Sequence, residues 1–177
     1  MDAFSEMLHG WQNYYFMAGG AAATLVGLMF VALSMATHLI SDETSESMKY
    51  FVTPSIFYFA SVLLLSCAML VPTHSPASLA VILLFGGVFG LYTVLGYVRR
   101  LIKAARTYQD FDLAEWLSQV IAPLLSYILI LSAAVLLFLD QWSWALMGLW
   151  VSSVMLLLSA IANTWSMVRW IVDQRTQ

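Results

Sequence analysis

Among the groups in this chain able to ligate a metal, act as a nucleophile or move a proton are three histidines, one cysteine and ten acidic residues. Their spacing brings few of them together. His38 falls at one end of an apolar stretch and His9 and His74 at the opposite ends of such stretches, so a three-histidine metal centre or a haem pair is not expected. Cys67 stands alone in the middle of an apolar run, which excludes an intrachain disulfide and a thiolate cluster. The sequence holds no HExxH, no nucleophile elbow and no phosphate-cradling glycine loop. Asp110, Asp112 and Glu115 would share a side with Glu43 and Glu46, but helix capping and loop solvation account for such carboxylates. The expectation is a protein with no catalytic residues, no metal and no cofactor.

The elements that carry these residues are unusual for a soluble protein. Of the 177 residues, 62% are hydrophobic and only 10% are charged. Several stretches reach the length of about 18 uncharged residues that a membrane-crossing helix requires. The reading is an all-α integral membrane bundle of about five transmembrane helices, forming a single domain over 1–177 with spans at about 11–39, 54–71, 76–101, 117–139 and 143–170. Thr53 with Pro54, and Ser75 with Pro76, look like caps followed by a proline at the first helical position. Asp112 with Glu115 resembles a capping box, Pro123 falls inside the fourth helix, and Asp140 or Ser143 would cap the fifth. Tryptophans such as Trp11, Trp116, Trp142, Trp144 and Trp170 cluster at span ends, as headgroup-level aromatic belts do, whereas Trp150 and Trp165 lie deeper.

All seven Lys and Arg residues fall on one side of this topology. The positive-inside bias therefore places the loops at about 40–53 and 102–116 and the C-terminus in the cytoplasm, with the N-terminus outside. Asp2 and Glu6 stand where a signal peptide would be basic, so the first span is expected to remain as an anchor. Arg99, Arg100, Lys103 and Arg106 form a stripe suited to anionic lipid headgroups, and the net charge of −3 gives no basic soluble face for nucleic acid. Asp, Glu, Lys and Arg are missing from the interior of every span, which argues against an ion-coupled pump or a carrier of charged solutes.

What the spans do carry is small residues. Gly19, Ala23 and Gly27 recur every four residues with Gly20 and Thr24 beside them, and Gly86 and Gly90 repeat the pattern in the third span, a candidate partner for the first. In the fifth, Ser152, Ser159, Asn163 and Ser166 share a stripe that should face away from lipid, Asn163 serving as interhelical glue or as part of a wet cavity. The string WQNYYFMAGGAAATLVGLMFVALS resembles the opening helix of uncharacterised small bacterial multi-pass proteins, with an aromatic pair, a glycine-alanine run and a GLxFVALS-like ending. That resemblance implies an inner (plasma) membrane location and no particular activity. The leading expectation is a homo-oligomer or an accessory subunit of a larger membrane complex, held by small-residue helix faces. The alternative is an oligomeric channel or facilitator for a small ion or neutral solute, with Thr24, Ser152, Ser159 and Asn163 lining it.

Overall fold

In hydrocarbon a backbone finds no water to bond, so long apolar segments close their own hydrogen bonds as helices. The computed structural model describes the backbone of residues 3–36, 42–105 and 116–175, and side chains within 3–34, 52–99 and 116–166. Helix α1 spans Ala3–Ala36, α2 Asp42–Leu70 and α3 Pro76–Ala105. A π-helical turn, Leu117–Ile121, leads into α4, Ala122–Phe138, and α5 covers Trp142–Arg175. Among the described residues five helical stretches are long and apolar enough to cross a membrane: Ala3–Ser34, Val52–Leu70, Pro76–Arg99, Leu117–Phe138 and Trp142–Ser166.

The distribution of side chains is that of a protein dissolved in lipid. Phe16, Leu64, Phe85, Phe89, Trp144 and Trp165 are exposed, whereas Ser55, Gln119, Ser126, Ser152, Ser159 and Asn163 are buried. Water as solvent would select the reverse. The chain is a multi-pass membrane protein. Three helices form the main body: α2 packs on α5 and α5 on α4, while α3 lies outside α4 and touches α2 far less. Helix α1 lies outside this group, against α2 and slightly against α5.

Small residues determine the close approaches. A Cβ at Gly19 would lie 2.8 Å from the Ser66 Cβ, and one at Gly87 would lie 2.7 Å from Leu131 Cδ2. At Gly90 the Tyr127 ring fills the space that a Cβ would need. The third-span glycines therefore receive α4, and the first helix takes α2, not α3, as its main neighbour. Large rings and branched side chains on α4 need a glycine groove, which α3 supplies, while a serine on α2 is small enough for α1.

The helix ends show where local chemistry is obeyed and where it is overridden. Ser75 caps α3 as expected, its Oγ accepting from the Ser78 N–H at 3.2 Å. After α4, Gln141 N–H bonds Leu136 O at 2.9 Å and Asp140 N–H bonds Leu137 O at 3.4 Å, with Asp140 at φ 56°. This is a Schellman turn with Asp in the left-handed position where Gly is usual. Helix α5 then begins at Trp142, one residue early, so Gln141 occupies the cap position instead of Asp140 or Ser143.

Two larger differences concern α2 and α4. The segment expected as a loop before Thr53 is helical from Asp42, and Pro54 lies inside the helix. Backbone groups freed around a proline at the membrane boundary can bond water, so the helix need not begin there. Pro123 stands just inside α4, and the π turn before it closes with the Ala122 N–H on Leu117 O. Proline removes a donor, and the wider turn is a way to rearrange the bonds around that gap. Asp112 and Glu115 lie outside the described residues.

Because Tyr127 is buried and hydrogen-bonded, its ring has little room to give way. Gly90→Val should lower unfolding stability by about 1–3 kcal/mol, read from thermal unfolding in mild detergent. Gly96→Val, where a Cβ meets nothing within 4 Å, should leave it unchanged.

Candidate functional site

Two features gather the polar and small residues: the outer face of α1 and a polar layer in the bundle interior. On α1 the stripe read from sequence divides. Gly19 is buried beside Tyr15, Ala18 and Ala22 on the face that meets α2, whereas Gly20, Ala23, Thr24 and Gly27 are exposed. Positions 20, 23, 24 and 27 follow the spacing of a single helix face. Among the described residues nothing lies within 4 Å of a Cβ at Gly20 or Gly27, and Thr24 Oγ1 donates to Gly20 O at 2.8 Å. The hydroxyl is thus satisfied within its own helix. On α3, Gly86 is open in the same way while Gly87 and Gly90 are covered.

The interior layer centres on Asn163, whose Nδ2 donates to Ser55 Oγ at 2.8 Å, joining α5 to α2. These helices run antiparallel, so Ser159 stands near the level of Phe59, and Ser152 near the level of Ser66. The π turn packs against both α4 and α5 and buries Gln119 near the depth of Ser159. Tyr58 is buried on α2 one helical turn from Ser55. Ser159 Oγ, the Tyr58 hydroxyl and both amide atoms of Gln119 have no hydrogen-bond partner among the described residues. The layer is uncharged, holds both donors and acceptors, and lies toward the Arg99 end of the bundle.

Ser152 is buried but donates back to Leu149 O at 2.8 Å, and half-buried Ser166 donates to Ala162 O at 3.2 Å. Ser66 and Tyr15, also buried and with hydroxyls that have no partner among the described residues, form a second polar level toward the other end. Val62 and Leu156, both with no exposed surface, fill the interior between the two levels. Arg99 is exposed; Arg100 and Lys103 continue α3 beyond the described side chains, and Arg106 lies outside the described residues.

Sequence reasoning missed two tyrosine–serine bonds. Tyr14 OH meets Ser153 Oγ at 2.7 Å between α1 and α5, and Tyr127 OH meets Ser61 Oγ at 2.7 Å between α4 and α2. In each pair the serine donates to its own helix, Ser153 to Trp150 O and Ser61 to Phe57 O, both at 2.8 Å. The serine proton is spent there, so the tyrosine donates to the serine. Tyr14 sits in an aromatic cluster at the start of the first span and Tyr127 in a largely apolar run, and neither position signals a bond to a distant helix. In comparisons with known proteins the chain matches no family model, no curated protein and no solved structure.

A double-mutant cycle between Ser55→Ala and Asn163→Leu should give a coupling of about 0.6–1.7 kcal/mol. Reversible unfolding in mixed micelles measures it. Additive effects of the two substitutions would show that the bond contributes nothing to holding α5 on α2.

Proposed function

We propose that this membrane protein works by self-association, as a homo-oligomer or as a subunit of a larger membrane assembly. The observation that carries this reading is the exposed small-residue face of α1 formed by Gly20, Ala23, Thr24 and Gly27. In lipid no hydrophobic force draws helices together, and close packing over small residues is a main source of association. The same face on a second copy is self-complementary about a two-fold axis. The hydrophobic stretch of α1 is only 22% buried, against 44% for those of α2, α4 and α5, so α1 has the most surface left to offer.

Its peripheral position serves the same end, since a partner can cover α1 without disturbing the main body. The basic residues Arg99, Arg100, Lys103 and Arg106 support contact with anionic headgroups at one membrane face. Cytoplasmic placement of that end, and residence in the inner membrane of a bacterium, belong to the same reading. An oligomeric channel or facilitator has less support, because its candidate lining divides: Ser152, Ser159 and Asn163 are buried within one chain, whereas Thr24 is exposed on α1. Catalysis has no part in this reading.

Gly20→Leu and Gly27→Leu should each convert an oligomer into monomers in mild detergent without lowering monomer stability, as read by mass photometry and thermal unfolding. Gly19→Leu should behave differently and destabilise the monomer, since its side chain would enter the space of Ser66. A wild-type chain that is monomeric in lipid nanodiscs across concentrations, or an oligomer indifferent to both outer-face substitutions, would refute the proposal.

A further inference from the structure

A cavity of about 160 Å³ opens between α2, α3 and α4, in the gap where α2 and α3 separate. Its depth is the middle of the bundle, since Ser61 and Tyr127 lie near the centres of their spans. Leu64 and Phe89 line it and are exposed, so its mouth faces hydrocarbon, and only a molecule dissolved in the membrane reaches it sideways. The volume is close to that of a dry protein cavity able to hold one benzene ring, about 150 Å³.

The lining has two kinds of chemistry. Phe57 stands 6.2 Å from both the Phe89 and the Tyr127 rings, giving an aromatic surface suited to edge or offset packing against another ring. At one place the apolar wall is broken by the Ser61–Tyr127 hydrogen bond. Ser61 gives its proton to Phe57 O and Tyr127 gives its proton to Ser61, so what the pair has left is lone pairs. A guest fitted to the cavity therefore brings a donor. An acyl chain would satisfy the walls and leave those acceptors against hydrocarbon, and a charged guest would find no counter-charge.

We propose that this cavity binds the ring of an uncharged, membrane-dissolved aromatic alcohol, whose hydroxyl donates to the Ser61–Tyr127 pair. The inference is independent of self-association through α1, which lies on the other side of α2. Gly86 keeps the site open: it lines the cavity, and a Cβ there meets nothing within 4 Å. A larger side chain at this position fills the space without a clash at its root.

The test uses the full chain in lipid nanodiscs with two fluorine-labelled probes, 4-fluorophenol and fluorobenzene, observed by fluorine NMR. Saturable binding of 4-fluorophenol by the wild type is expected, with loss of that binding in Gly86→Leu. The double variant Ser61→Ala with Tyr127→Phe, which removes both acceptors, should weaken 4-fluorophenol about fivefold, the equivalent of one neutral hydrogen bond, and leave fluorobenzene unchanged. If Gly86→Leu fails to fold, this double variant still decides whether the hydroxyl is recognised. Equal binding of both probes, indifferent to the double variant, would make the cavity a berth for any apolar group and overturn the proposal. Identical signals from wild type and a folded Gly86→Leu would show partition into lipid alone and overturn it equally.

Discussion

Hydrocarbon offers neither a hydrogen bond to a stray polar group nor a reason for apolar surfaces to seek each other, and this pair of absences governs the whole bundle. Hydroxyls answer the first absence locally. Thr24, Ser61, Thr93, Ser126 and Thr164 each donate to the carbonyl four residues earlier, and Ser152 and Ser153 to the carbonyl three earlier. A hydroxyl that has donated in this way still has oxygen lone pairs, and those are what Tyr14 and Tyr127 use. The two tyrosines thereby join α1 to α5 and α2 to α4, pairs whose backbones make little or no close contact. Long side chains span the gaps that the backbones leave, and small residues let the backbones meet elsewhere.

The fold class was legible because it depends on a quantity that sequence states directly, the length of uncharged apolar runs. Pro76 after Ser75 marked the start of α3 because a proline at the first turn costs no hydrogen bond and the serine oxygen caps one. The same signature at Thr53 and Pro54 failed. A helix that starts in a polar segment can carry a proline through the membrane boundary, where freed backbone groups can find water. Polar character alone does not distinguish a loop from a solvated helical extension.

Less of the candidate site was legible, because association faces turn on rotations of about 100° per residue. Gly19 and Gly20 are neighbours in sequence, yet one is sealed against Ser66 and the other is open. Composition identifies the small-residue run as a place of close contact; only the fold says how many contacts it makes and in which directions. The buried stripe on α5 was easier to read, since Ser152, Ser159 and Asn163 recur at helical spacing among large apolar residues. Gln119 was harder: its burial follows from the π turn, which shifts the helical phase by an amount that no 3.6-residue periodicity contains.

The cavity beside α3 follows from the same economy of close packing. Connected by a short turn, α2 and α3 would be expected to lie flush, as neighbours with brief connections usually do. Instead α3 is drawn to α4, where Gly87 and Gly90 admit Leu131 and the Tyr127 ring, and the opposite side of that approach is the opening toward α2. Tyr127 is thus wedged in the glycine groove of α3 by its ring and tied to Ser61 of α2 by its hydroxyl. One side chain fixes both walls of the gap. A closed α2–α3 seam would require Tyr127 to leave either the groove or its bond, and in lipid neither loss is compensated by solvent.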